Sequence, residues 1–157
     1  MGSAKRLDRA YANAKRIPFN DDSKFIFFSD CHRGDNSFAD EFANNRNIYF
    51  HALKQYYNNG FHYIELGDGD ELWENIQFES IFEAHKNVYQ LLKLFYVDKR
   101  LHLIWGNHDM VYKDPKVVQK NLHTYFETRR CDQLALASTR GQEGRKPPGG
   151  AHPAAKM

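Results

Sequence analysis

Lys24-Phe25-Ile26-Phe27-Phe28-Ser29-Asp30-Cys31-His32 is a short apolar run that ends abruptly in polar side chains able to bind cations. Its β-forming residues predict a strand over Lys24–Ser29, covered on both faces. The pattern recurs twice. His62-Tyr-Ile-Glu-Leu66 leads into Gly67-Asp68-Gly69-Asp70-Glu71, and Leu101-His-Leu-Ile-Trp105 leads into Gly106-Asn107-His108-Asp109. Between these runs lie stretches with helical spacing. Ser37–Asn58 carries Phe38, Phe42, Tyr49, Leu53 and Tyr56, and Asn58-Asn59-Gly60 supplies a stop. Glu74–Val97 sets Ile81, Val88, Leu92 and Phe95 on one stripe and reads as one long helix. Pro115 opens a short helix ending near Phe126. Strands joined through helices form crossovers, so the fold class is α/β with a parallel sheet.

In such a sheet the C-terminal ends of the strands share one edge, where open α/β folds place their sites. Asp30, His32, Asp68, Asn107 and His108 are therefore expected to converge in one crevice. Taken singly, Asp30, Asp68 and Asn107 would be turn or helix-cap residues. Three clusters in register make a shared site the better reading. Carboxylate, amide and imidazole donors suit divalent Zn, Mn or Fe, and the lack of paired thiolates argues against a structural zinc site. Asp30 and His32, two residues apart, can reach one ion together, and an aspartate between two cations can bridge them about 3.5–4 Å apart. Gly67 and Gly106 allow the backbone to turn beneath the ions without a Cβ in the way.

Asp-x-His, Gly-Asp-x-x-Glu and Gly-Asn-His-Asp, each after a strand and in this order, resemble the first three signature blocks of the calcineurin-like metallophosphoesterases. The resemblance covers Lys24–Asp109, with fold support to Phe126. It implies a layered sandwich, two mixed sheets face to face between helices, and hydrolysis of phosphate mono- or diesters by a hydroxide activated between two metal ions. By the same resemblance Asp30 and His32 bind the first metal, Asp68 bridges and Asn107 binds the second. His108 faces the leaving-group oxygen, with Asp109 orienting it. Glu71 stands where many members have Asp, and it is expected to hold a metal-binding side chain in place from behind. Asp70 is read as solvated. Arg33 is the candidate contact for substrate phosphate, its alternative being a solvated loop residue. Trp73 is read as core or pocket wall, and Cys31 as a small buried filler. His51, His62, His85, His102 and His123 fall within elements and are structural or solvated.

The family's later Gly-His and Gly-His-x-His blocks are absent; Gly150-Ala-His152 is the closest approach, with no strand before it. The alternative reading is thus a truncated or inactive member of the same fold, acting as a metal-binding or interaction module. Residues 1–130 are expected to form the N-terminal part of the domain. Residues 131–157 carry no aromatic and are expected to be disordered, as after a truncation, fusion or frameshift.

The 157-residue chain holds 12 Phe, 9 Tyr and 2 Trp, ample for one core, while its mean hydropathy of -0.75 argues against a membrane protein. A net charge of +2 offers no basic groove, which disfavours nucleic acid and with it a nuclease. Met1-Gly-Ser-Ala-Lys-Arg6 lacks the apolar run of a secretory signal. Two cysteines, Cys31 and Cys131, suit a reducing cytoplasm.

Overall fold

The computed structural model describes residues 2–128, and one compact unit spans Met1–Glu127. The expectation for 131–157 lies outside the described residues. The three expected strands form at β1 (Phe25–Phe28), β2 (His62–Leu66) and β3 (Leu101–Ile104). They pair in parallel in the order β1-β2-β3, with Ile26 beside Tyr63 and Tyr63 beside Leu101. The chain is thus α/β, built on a small open parallel sheet.

Helix α1 (Ser3–Asn13) buries none of its residues and had no counterpart in the sequence reading. Helix α2 runs Glu41–Asn58 and not from Ser37, because the Asp40 side chain accepts the Ala43 amide and caps the first turn. Phe38 is left outside the helix and fully exposed. Gly60, at φ 80°, closes α2, with its own amide bonded to Tyr57 and the Phe61 amide to Tyr56.

The long helix expected over Glu74–Val97 is two helices, α3 (Phe78–Ala84) and α4 (Lys86–Val97). The break falls at His85, whose ring is buried and whose Nε2 meets Asp40 Oδ2 at 2.7 Å. Arg46 donates to the Ala84 carbonyl, satisfying an acceptor that the break releases. After β3 come a 3₁₀ turn (Met110–Lys113), α5 (Pro115–Val118), a π turn (Gln119–His123) and α6 (Thr124–Thr128).

Helices α2 and α4 pack together over one face of the sheet. Their buried Leu53, Val88, Leu92 and Phe95 meet Ile26, Phe28, Tyr63 and Leu101. The opposite face carries Phe27, Leu66 and Ile104, each at least half exposed, so β1 is not covered on both sides as expected. No helix among the described residues is long and apolar enough to cross a membrane.

Candidate metal centre

The three strands deliver their polar ends to one edge, and the loops then continue to pair. His32 donates its amide to the Asp68 carbonyl (2.9 Å), Arg33 to Gly69 (3.0 Å), and Glu71 back to Arg33 (2.9 Å). This extends the ladder past β1 and β2 as an isolated parallel bridge between Arg33 and Asp70. The third loop is fastened by the His108 amide, which donates to Asp68 Oδ1 at 2.8 Å. Close approach requires the glycines: a Cβ on Gly67 would stand 2.9 Å from the Gly106 backbone, and one on Gly106 would stand 2.3 Å from Asp68 Oδ1.

Convergence brings donor atoms of Asp30, His32 and Asp68 within 4.8 Å of one another. His32 Nδ1 donates to Glu71 Oε2 at 2.8 Å, which leaves Nε2, 3.9 Å from Asp30 Oδ1, as the atom free to bind a cation. All three residues hold left-handed backbone, at φ 53°, 48° and 53°. Non-glycine residues adopt that region uncommonly, aspartate and histidine more readily than most. Two carboxylates and an imidazole nitrogen aimed at one point fit a divalent transition ion. Asn107 is exposed on the third loop, outside this hydrogen-bonded cluster.

A second cluster shares the site. Glu71 bridges His32 and His108, accepting His108 Nδ1 at 2.7 and 2.9 Å, and the two imidazoles meet edge-on at 4.4 Å. The donor atoms of His32, Glu71 and His108 also lie within 4.8 Å of one another. Burial pushes the Glu71 carboxyl up, but the hydrogen bonds from His108 and His32 outweigh it and hold the group below its ordinary range. The same hydrogen bond to Glu71 raises the His108 imidazole against the opposing desolvation, with the charges of Glu71, Asp68 and Glu74 adding to the rise. Glu71 thus accepts hydrogen bonds from both imidazoles. Trp73 is not core: it is 68% exposed and leans on His108 at 5.0 Å.

Three expectations need correction. Arg33 cannot meet a substrate phosphate. It is 2% exposed, its fork taken by Glu65 at 2.7 and 2.9 Å and its Nε by Asp70 at 2.8 Å. Asp70 is not solvated but equally buried, and accepts the hydroxyls of Tyr89 and Tyr112 as well. Asp109 does not touch the His108 ring. Its buried carboxylate accepts the amides of Gly69 (3.0 Å) and Gly106 (2.5 Å), stitching the second loop to the third. Burial raises its pKa against those two hydrogen bonds.

Cys31 is not fully buried as expected but packs partly buried against the core, its thiol pushed by burial to about 11. His85 is buried and structural. Sequence reasoning missed Glu65, Tyr89 and Tyr112. The one visible signal was Glu65, a charge inside an otherwise apolar strand. Comparison with known proteins adds nothing to this description: no protein family, curated protein or solved structure matches the chain.

Proposed function

We propose that the chain is a metal-dependent phosphoesterase of the calcineurin-like kind, acting on phosphate mono- or diesters. The observation that carries this reading is the meeting of Asp30, His32 and Asp68 within 4.8 Å at one sheet edge, with Asn107 and His108 arriving on the third loop. Asp30 and His32 would hold one ion and Asn107 a second, with Asp68 between them. The ions, when bound, supply Lewis acidity towards the phosphoryl group and a water acidified to a pKa of about 7.

The chain's own residues do the rest. Glu71 occupies His108 Nδ1, so Nε2 is the nitrogen left to protonate the departing oxygen. The hydrogen bond to Glu71 raises the pKa of His108 and so favours the protonated ring. Its ring also adjoins Trp73, whose exposed indole offers a flat apolar surface to the leaving group. The finer architecture, two sheets packed face to face between helices, belongs to the same reading. The half-exposed Phe27, Leu66 and Ile104 opposite the helices support it. The free Cys31 thiol fits a cytoplasmic setting.

A second reading has its own observation. His32, Glu71 and His108 form a donor set for a single ion, which would make the chain a metal-binding module without turnover. One titration separates the two. Metal-free protein is titrated with Mn²⁺ or Zn²⁺ by calorimetry, and hydrolysis of nitrophenyl phosphate and bis-nitrophenyl phosphate is followed in parallel. Two ions per chain with metal-dependent turnover, both abolished in Asp68→Asn, are expected. A single ion without turnover gives the module. No binding at millimolar metal would sink both.

A further inference from the structure

We propose that Arg33 is a positioning residue for the metal loops: through Asp70 and Glu65 it holds the left-handed backbone of Asp30, His32 and Asp68 in ligating geometry. The inference rests on the metal-centre reading and concerns how that centre is kept in shape.

Every polar arm of the Arg33 cluster begins in or beneath a different part of the site. Arg33 follows His32 directly. Asp70 lies between Asp68 and Glu71, and Glu65 comes from β2 just below Gly67. Tyr112 stands beyond His108 and Asp109, and Tyr89 rises from α4. The Arg33 fork is bidentate on Glu65 and its Nε is on Asp70. Asp70 then receives Tyr89 Oη at 2.5 Å and Tyr112 Oη at 2.7 Å, while Tyr63 Oη donates to Glu65 at 2.5 Å. The network passes directly under the loop that carries Asp68: a Cβ on Gly69 would stand 2.0 Å from Glu65 Oε1 and 2.6 Å from Arg33 Nη2.

Stability alone does not account for this arrangement. One guanidinium buried with two carboxylates must be stripped of water, and well-packed apolar side chains of similar volume commonly do as well or better. What apolar packing lacks is direction. A planar fork with five donors fixes both the distance and the angle of its acceptors, so the loops above can occupy one conformation only. Three ligand residues in a sparsely populated backbone region need that constraint, because an unconstrained loop would relax out of it. Groups that orient ligands in this way typically change metal affinity by about 10–100-fold when lost.

The test uses the full chain and two variants, Arg33→Lys and Tyr112→Phe. Lysine keeps the charge but cannot span both carboxylates; phenylalanine removes one donor to Asp70 and conserves volume. Mn²⁺ affinity is read by electron paramagnetic resonance, and amide hydrogen exchange is read in metal-free protein. Arg33→Lys should bind Mn²⁺ about 10–100-fold more weakly, with a smaller loss in Tyr112→Phe. Exchange should quicken at the His32, Arg33 and Glu71 amides but not at Tyr63 in β2. Unchanged Mn²⁺ affinity in the folded variants, or exchange that quickens uniformly, would make the cluster a structural element and overturn the proposal. Should Arg33→Lys fail to fold, Tyr112→Phe decides alone by the same criterion. Wild-type protein that binds no Mn²⁺ would overturn the metal-centre reading itself, and this proposal with it.

Discussion

Replacing Asp30 with glycine should make the metal-free protein more stable and the metal-loaded protein less stable than wild type. Asp30 sits at φ 53°, and its side chain is 69% exposed with Ser29 as hydrogen-bond partner, so little packing is lost on its removal. Glycine holds the same left-handed backbone without the roughly 1–2 kcal/mol that an L-residue costs there, aspartate lying at the low end. Glycine's greater freedom in the unfolded chain returns about 0.5–1 kcal/mol. Relief of repulsion between Asp30 and Asp68 works with the backbone gain and against that cost. A net gain of up to about 1 kcal/mol should raise the melting temperature by about 2–4 °C in EDTA.

Mn²⁺ at 100 times its dissociation constant should add about 2.7 kcal/mol to wild type. It should add almost nothing to a variant lacking the ligand. The two melting curves therefore cross over between EDTA and Mn²⁺. Lys99→Gly is the control. Lys99, at φ 58°, ends α4 with the Arg100 amide bonded to Phe95 and its own to Tyr96, a position that favours glycine. It should gain a similar amount and keep the full metal response. A lower melting temperature for Asp30→Gly in EDTA would refute the reasoning, since the backbone would then not be strained at that residue.

Gly106→Ala should cost about 1–3 kcal/mol and weaken Mn²⁺ binding, because the new methyl meets Asp68 Oδ1 at 2.3 Å; a melt and a titration check both. His108→Ala should slow hydrolysis of alkyl phosphates by about 10²–10⁴-fold. The loss should be smaller for nitrophenyl phosphate, which needs little protonation; equal losses would assign His108 to the structure or to a metal. In a Cys131→Ser background, Cys31 should resist iodoacetamide at pH 8 and react as pH approaches about 11. Because that pKa lies above the unfolded value of 9.0, the thiol favours the folded state below pH 9. This contribution is lost as pH rises through about 11.

The strands were legible because three apolar, β-forming runs each stop at a glycine or an aspartate, and their parallel order follows from the helices between them. The donors Asp30, His32 and Asp68 were legible for the same reason: period and position put them at one edge. Other features were set by contacts between residues far apart in sequence. The stripe of Ile81, Val88, Leu92 and Phe95 runs unbroken through His85, so nothing local marks the break that Asp40 imposes from 45 positions away. Arg33 could not be told from a solvated loop residue, because its burial depends on Glu65 in β2 and Asp70 in the loop after it. The partner of the His108 ring was hidden on similar grounds. Adjacency in the chain suggested Asp109, whereas the folded loops turn Asp109 towards the amides and bring Glu71 to the ring.

The strand order has a consequence for how the site comes into being. Because β1, β2 and β3 lie side by side in the order of their synthesis, each strand leaving the ribosome finds its neighbour already made. The first loop carries its aspartate and histidine alone, without the Gly67 carbonyl that will later accept the Asp30 amide. The second loop then arrives to hold it, and the third closes the centre by giving Asp68 the His108 amide. At about 5–20 residues per second, the roughly 80 residues from Asp30 to His108 take about 4–16 s to emerge. The pieces of the centre should thus be laid down as a fixed series, each docking on a wall that the previous one has finished.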